Sequence, residues 1–307
     1  RILTTHVGSL PRPAALVDLL LAKDRGERVD EAAFDAAAGT AVAEVVARQA
    51  AAGLDVVSDG ELSKIGYSTY MQERLSGFGG HQDRRPALDM AAHPEFAARM
   101  AKMTGGQPFR RAACIGPVAV SNRHPLQRDI ANFKCALAGA NVVEAFMNAA
   151  SPGLVTAFQP NKFYPTHEAY VEAVAEAMRE EYRAIVDAGF LLQLDCPDLA
   201  MAKHTGFQDL DEAAFLKRAA LHVEALNHAT QGIPADKMRM HICWGNYEGP
   251  HDHDIAVEKV MPVLAKAKPA AILFEAANPR HEHEWKAWRD AKLPDDKILV
   301  PGVITST

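Results

Sequence analysis

No apolar run in this 307-residue chain approaches the roughly 18–20 residues that a membrane-spanning helix needs. Positive charge is not in excess either. Lys and Arg number 33 against 39 Asp and Glu, a net charge of −6, which gives no reason to expect nucleic acid or an anionic membrane as partner. Cysteine is scarce. The four present, Cys114, Cys135, Cys196 and Cys243, are widely spaced, which argues for reduced thiols rather than a disulfide framework. No signal peptide is visible, so a cytoplasmic location is the default expectation. No Gly-rich phosphate turn follows the first β-rich run, and the dinucleotide-binding variety of α/β fold loses its main support. Repeats, low-complexity tracts and linkers are also missing, so a single domain over residues 1–307 is expected. The chain opens at Arg1 without a Met, and a few leading residues are expected to be missing.

What is present is a 48% hydrophobic, 23% charged sequence with enough apolar residues for a full core. Short β-rich apolar runs alternate with long Ala-rich helical patterns. The runs are Ile2–Val7, Leu54–Ser58, Arg111–Ile115, Leu191–Asp195, Met238–Cys243, Ala271–Glu275 and Ile298–Val303, with a weaker one at Val142–Phe146. Apolar spacing of three and four predicts helices over Glu31–Ala52 and His167–Ala188, the second between a Thr166 N-cap and a Gly189 C-cap. Two more span Asp211 to about Ala229 and Ile255–Ala267. Strand–helix alternation of this kind predicts a parallel sheet clothed by helices, and seven or eight such units fit a closed (β/α)8 barrel of the TIM type. About fifty residues, rich in Gly, Arg, His and Met, separate Glu61 from Arg111. An insertion of that length, at about 62–110, is expected to be a lid or binding loop; a surface excursion is the alternative.

In such a barrel the chemistry sits where strands end. The run Met238-Arg239-Met240-His241-Ile242-Cys243 alternates, with Met238, Met240 and Ile242 on one face and Arg239, His241 and Cys243 on the other, toward the axis. His241 and Cys243 can therefore point at one metal, although a hydrogen-bonded His beside an inert Cys has the same spacing. The next run, Ala270 to Glu275, stays apolar until it ends in a carboxylate, which needs a cation or several donors. If the two strands are neighbours, about 5 Å apart, Glu275 completes a His-Cys-Glu set suited to zinc. A salt bridge from Glu275 to Arg280 or Arg239 is the alternative. Asp195 ends another apolar run, and Leu54 to Gly60 leads to Glu61. At a barrel mouth these two carboxylates could hold a cationic amine; each is equally suited to a structural ion pair.

Taken in order, these strings resemble the cobalamin-independent methionine synthase family in its short form. The resemblance rests on Thr4-Thr5-His6-Val7-Gly8-Ser9-Leu10-Pro11, on Gly53 to Glu61, on Leu191 to Leu199 (LLQLDCPDL), on HICWGN from His241, and on the strand ending at Glu275. It covers nearly the whole chain. It implies that His241, Cys243 and Glu275 are zinc ligands, that Ser9 contacts the carboxylate of an amino-acid thiol, and that Glu61 and Asp195 contact its amino group. Phe158 falls roughly where the family places an aromatic residue near the pterin. The implied reaction joins a small thiol such as homocysteine to an alkyl donor such as methyltetrahydrofolate.

Three departures qualify that expectation. The family's fourth zinc ligand, a Cys in an Asp-Cys-Gly context, has no counterpart before Thr307, so a fragment lacking the last barrel segment is expected. The family's catalytic His after the Ile298–Val303 strand is not found in Ile304-Thr305-Ser306-Thr307. The segment His241 to Asp254 (HICWGNYEGPHDHD) is unusually rich in His and looks more like the branch containing epoxyalkane:coenzyme M transferase. A free thiol has a pKa of about 8.5, and zinc would favour its thiolate. Either kind of alkyl donor would need a proton, for which His251 and His253, eight and ten residues beyond Cys243, are candidates. The set His241, Cys243, His251 and His253 is a competing metal site. A metal-free enzyme of the uroporphyrinogen decarboxylase type and a non-catalytic zinc protein complete the alternatives.

Overall fold

The computed structural model of the chain describes residues 1–82, 85–103, 111–245 and 247–304. Its first part runs α1 (Ala14–Asp24), α2 (Glu31–Ala51), β1 (Val56–Ser58), α3 (Tyr67–Arg74), β2 (Phe78–Gln82), α4 (Leu88–Ala92), α5 (Pro94–Met103) and β3 (Arg111–Cys114). The middle comprises α6 (His124–Leu137), β4 (Glu144–Ala150), α7 (Pro152–Phe158), α8 (His167–Asp187), β5 (Leu191–Asp195) and α9 (Glu212–Ala229). The last part holds β6 (Met238–His241), α10 (Val257–Leu264), β7 (Ala271–Glu275), α11 (Trp285–Asp290) and β8 (Ile298–Gly302).

The long helices begin where short polar side chains can satisfy free N–H groups. Asp30 accepts from Ala32 and Ala33 at the start of α2, Thr166 from Ala169 at α8, and Asp211 from Ala214 at α9. Gly189, at φ 96°, stops α8 as expected, because the turn there needs a left-handed residue.

Six parallel strands form one curled sheet in the order β1–β4–β5–β6–β7–β8, a half-barrel consistent with a partial (β/α)8 barrel, the expectation having been a barrel short of its last segment. Two of the anticipated barrel strands lie elsewhere. The Arg111–Ile115 run supplies β3, which pairs antiparallel with β2 in a separate hairpin. Its apolar character is spent on that hairpin and on a bridge from Cys114 to Asn161. The Ile2–Val7 run reduces to one parallel bridge, Thr5 to Val56. The weak Val142–Phe146 signal is the front of β4, one of the longest strands, with Met147, Ala149 and Ala150 buried.

The N-terminal segment is recruited to the barrel axis instead of to the sheet. Arg239 on β6 donates to Thr5 Oγ1 (3.1 Å), to the His6 carbonyl (2.8 Å) and to Gln193 Oε1 (2.7 Å). Asn148 on β4 and Gln193 on β5 both donate to the Val7 carbonyl. Phe146 closes the group, its ring 3.7 Å from the Arg239 guanidinium and 5.4 Å from the His6 ring. The alternation read in β6 therefore holds, and β5 shares it: Gln193 and Arg239 face the axis, while Leu192, Leu194, Met238 and Met240 are buried on the helix side. The insertion at about 62–110 contributes α3, β2, α4 and α5; its residues 83, 84 and 104–110 lie outside the described residues.

A buried relay ties the middle helices to the sheet. Ser151 at the head of α7 donates to Asp198 (2.6 Å), His222 Nδ1 on α9 contacts the other Asp198 oxygen (2.9 Å), and His167 on α8 meets His222 Nε2 to Nε2 at 2.8 Å. Burial first, then His222 and Arg218, pushes His167 down to about 3 from 6.5. The unfolded chain therefore takes up this proton at a higher pH than the folded one. The contribution of His167 to stability is present above about pH 6.5 and is lost as the pH falls toward 3, with a slope of at most ~1.4 kcal/mol per pH unit. His167→Gln should flatten the loss of stability between pH 7 and 5, read as urea midpoints of both proteins; equal losses would show that His167 does not carry it.

Candidate active site

The C-terminal ends of β4, β5 and β6 bring polar side chains to one rim. Parallel register sets Asp195, the last residue of β5, beside His241, the last of β6. Asp195 accepts from Tyr67 Oη (2.5 Å), Gln193 Nε2 (3.1 Å) and Asn148 Nδ2 (3.2 Å), and lies 3.4 Å from His241 Nδ1. Burial alone would raise its pKa. The bonds from His241, Tyr67 and Asn148 overcome that and hold it below the usual carboxylate range.

Glu61 reaches the same rim by an unusual backbone. Gly60 and Glu61 both have left-handed φ, 65° and 54°, which a residue with a Cβ seldom adopts. The turn is over-determined. Asp59 accepts the Glu61 N–H (3.0 Å), Arg12 donates to the Glu61 carbonyl (2.8 Å), and buried Lys64 donates to the Asn148 carbonyl (3.2 Å). Burial, then the neighbouring Asp195 charge, lifts Glu61 to about 7, with Lys64 opposing. Gly8 permits the close approach: a Cβ there would lie 2.8 Å from Glu61 Oε1 and 3.1 Å from Asn148 Nδ2. Ser9, exposed at the mouth, places its hydroxyl on the Glu61 carboxylate.

The third group comes from β6 and β7, which are neighbours. His241 pairs with Leu273 where β6 ends; Cys243 follows two residues beyond the strand, and Glu275 is the last residue of β7. Cys243 accepts the Gly245 N–H at 3.2 Å. Its thiol is pushed up to about 12, by burial first and then by the carboxylates of Glu275, Asp195 and Asp254, with the Gly245 bond opposing. Glu275 accepts from Asn278 Nδ2 (3.0 Å) and has Arg280 at 3.9 Å, so the anticipated ion pair is present in loose form, while Arg239 is engaged elsewhere.

These donors suit a metal by their chemistry. A thiol crowded by three carboxylates would be stabilised as thiolate by a cation, and the imidazole held through Nδ1 by Asp195 keeps Nε2 for a ligand role. The ligand atoms of His241, Cys243 and Glu275 do not all lie within 4.8 Å of one another, so holding one ion would require them to draw in. Among the described residues one trio does reach that spacing: Asp89, His251 and Asp254.

His251 and His253 join that trio's neighbourhood and not His241. His251 Nδ1 is 2.8 Å from Asp254 and His253 Nδ1 is 2.8 Å from Asp89. The competing set of His241, Cys243, His251 and His253 is not gathered at one point. Phe158 is half-buried at the last position of α7, packed on the core. The segment 305–307 lies outside the described residues. Sequence reasoning missed Tyr67, Asn148 and Lys64. Asn148 did leave a signal, a lone amide inside the apolar run of β4 and two residues after Phe146, whereas Tyr67 and Lys64 sit in an aperiodic stretch.

No protein-family model matches the chain. In sequence it is 25% identical over 262 residues to methionine synthase of Sulfolobus acidocaldarius, covering 84% of this chain and 66% of the relative. The methionine synthase of Saccharolobus solfataricus is 25% identical over 260 residues, 84% of this chain and 68% of the relative. The chain thus spans about two thirds of the length of these curated relatives. Its fold is that of the B12-independent methionine synthase of Shewanella sp. W3-18-1, solved in complex with selenomethionine. That structure superposes with TM-score 0.68 and 19% identity over 98% of this chain and 80% of its own.

The thiols offer a direct check. Cys135 is exposed, Cys114 and Cys196 are buried, and Cys243 is half-buried yet held protonated. Metal-free native protein at pH 8 should therefore react with a thiol reagent rapidly at Cys135 only, since a pKa of about 12 leaves about one Cys243 in ten thousand as thiolate. Mass mapping that found Cys243 modified as fast as Cys135 would contradict this electrostatic description.

Proposed function

We propose that this chain, related in sequence to methionine synthases, is a zinc-dependent methyltransferase that methylates a small thiol such as homocysteine. The observation that carries the reading is that Cys243, two residues beyond β6, and Glu275, the last residue of β7, stand at the same rim as His241 and its partner Asp195, beside a second carboxylate, Glu61. His241, Cys243 and Glu275 would hold the ion. Bound there, zinc would supply the positive charge that keeps a substrate thiol deprotonated at neutral pH.

The chain's own groups do the rest. Glu61 and Asp195 form an anionic pair suited to an ammonium group, and Tyr67, Asn148 and Gln193 fix the direction of Asp195. Ser9, hydrogen-bonded to Glu61, stands at the mouth where a substrate carboxylate would emerge. Of the two candidate proton donors to an alkyl donor such as methyltetrahydrofolate, His253 is half-exposed, while His251 is buried against Asp254. Phe158 is the proposed aromatic contact for the pterin. The insertion at about 62–110 brings Tyr67 to Asp195 and Asp89 to His253, as a cover over the mouth would.

Epoxide transfer to coenzyme M fits less well, because paired carboxylates repel a sulfonate. Zinc analysis of the protein should give about one ion in this site, with Cys243→Ser and His241→Ala each losing most of it. Chelator-sensitive consumption of homocysteine in preference to coenzyme M is the expected activity. Coenzyme M preference would favour the epoxide branch, and chelator-insensitive turnover a metal-free decarboxylase-like enzyme. Because ionised Glu61 is the form that attracts an ammonium, homocysteine affinity should rise as the pH passes through about 7 and level off above it. Glu61→Gln should remove that step and weaken binding by about 10- to 100-fold. An unchanged pH profile would exclude Glu61 from the amine site.

A further inference from the structure

A second cluster shares no residue with the His241, Cys243 and Glu275 set, although its Asp254 carboxylate is near enough to raise the Cys243 thiol. Its members come from three segments distant in sequence: Asp89 on α4, His204 in the turn after β5, and His251 and Asp254 in the loop after β6. Asp89 and His204 are fully buried, and His251 and Asp254 show side-chain exposures of only 3% and 10%. One oxygen or nitrogen from each of Asp89, His251 and Asp254 lies within 4.8 Å of the others. His204 sits between the two carboxylates, Nδ1 3.0 Å from Asp89 Oδ2 and Nε2 3.4 Å from Asp254 Oδ1.

The hydrogen-bond pattern inside the cluster does not close. His204 Nε2 faces the Trp244 carbonyl at 3.2 Å, which fixes the N–H there. Nδ1 then carries a lone pair, buried and without a hydrogen bond, aimed at a carboxylate oxygen. Asp254 Oδ1 is likewise buried without a hydrogen bond. Two lone pairs 3.0 Å apart repel unless a proton or a cation lies between them. His251 is placed alike but has both nitrogens engaged, Nε2 with the Tyr247 carbonyl (3.4 Å) and Nδ1 with Asp254 Oδ2 (2.8 Å). A histidine whose far nitrogen is held by a backbone carbonyl and whose near nitrogen meets carboxylates has the outer support typical of a metal ligand. The outer groups are also in place: Tyr247 donates to Asp89 Oδ2 (3.1 Å), His253 contacts Asp89 Oδ1 (2.8 Å), and His281 Nε2 stands 3.2 Å from Asp254 Oδ2.

We propose that Asp89, His204, His251 and Asp254 form a second metal site, taking a divalent transition ion such as zinc, separate from the His241, Cys243 and Glu275 set. Asp89, His251 and Asp254 already stand at the spacing of one ion, and His204, outside that trio, would draw in as the fourth ligand; two imidazoles and two carboxylates would then mark a structural ion without an open position. It would clamp α4 of the insertion onto the loop that follows Cys243.

The test uses the whole chain carrying Cys243→Ser, which removes the thiolate and with it the other site. Metal-free protein titrated with cobalt(II) alone should bind one ion with ligand-field bands and no sulfur-to-cobalt charge-transfer band. Zinc alone should raise its melting temperature. Adding His251→Gln or His204→Gln should weaken binding at least tenfold, while His253→Ala, a change outside the shell, should leave an ion bound. Circular dichroism of each variant separates lost ligands from lost folding. No ion bound by the folded Cys243→Ser protein, or binding unaltered by both His→Gln changes, would overturn the proposal. A sulfur band absent from the parent protein would count against the Cys243 zinc reading alone.

Discussion

Arg239 is a guanidinium 5% exposed at the axis of a curled sheet, and removing such a charge from water costs several kcal/mol unless its donors are engaged. Burial lowers its pKa to about 10, with Asp195 and Glu144 opposing. It stays charged because Gln193, Thr5 and the His6 carbonyl accept its hydrogens and Phe146 presents a ring face to it. That requirement organises the rest of the rim. The segment Thr5–Val7 must cross the axis to supply two of the acceptors, which delivers Gly8 and Ser9 to Glu61. Gln193 uses its oxygen on Arg239, so its amide hydrogens go to Val7 and Asp195. Asp195 in turn meets His241. A side chain on β6 therefore sets the carboxylate that orients the next inward residue of the same strand.

The rim holds its charge unevenly. Asp195 has donors on both oxygens and stays ionised, whereas Glu61 is buried beside it and shares the same space, so its proton affinity rises to about 7. The two carboxylates differ in environment, one held below the usual carboxylate range and one poised near neutrality, so the proposed docking of an ammonium group would release a proton. Cys243 is the complement. Surrounded by acidic groups, its thiol is held protonated, so binding of the proposed metal there would release a proton.

The insertion and the loop after β6 meet at a second, drier cluster. Asp89 lies fully buried in α4, a helix of one and a half turns, and is held by Tyr247, His253 and His204 from across the chain. Such a short helix has little stability of its own. Its position follows from the polar groups that surround Asp89, and the same groups fold the segment beyond Cys243 into a wall of the candidate site.

Periodicity and strand-end chemistry in the sequence determined most of the scaffold. Capping residues and apolar spacing located α2, α8 and α9, and the alternation in β6 told which side chains face the axis, because side-chain direction in a strand is a local property. The ordered motifs pointed to the methionine synthase relatives, and the residue types at His241, Cys243 and Glu275 to a metal. Local pattern could not say that Arg111–Cys114 pairs in a hairpin, since an apolar run is equally suited to any sheet. It gave no notice that the N-terminal run crosses the axis, which is decided by the acceptors Arg239 needs. Tyr67, Asn148 and Lys64 around the two carboxylates, and His204 between Asp89 and Asp254, became visible only in three dimensions. Their roles rest on burial and on contacts between residues up to 165 positions apart, Asp89 and Asp254, and neither is encoded in the neighbourhood of any one of them.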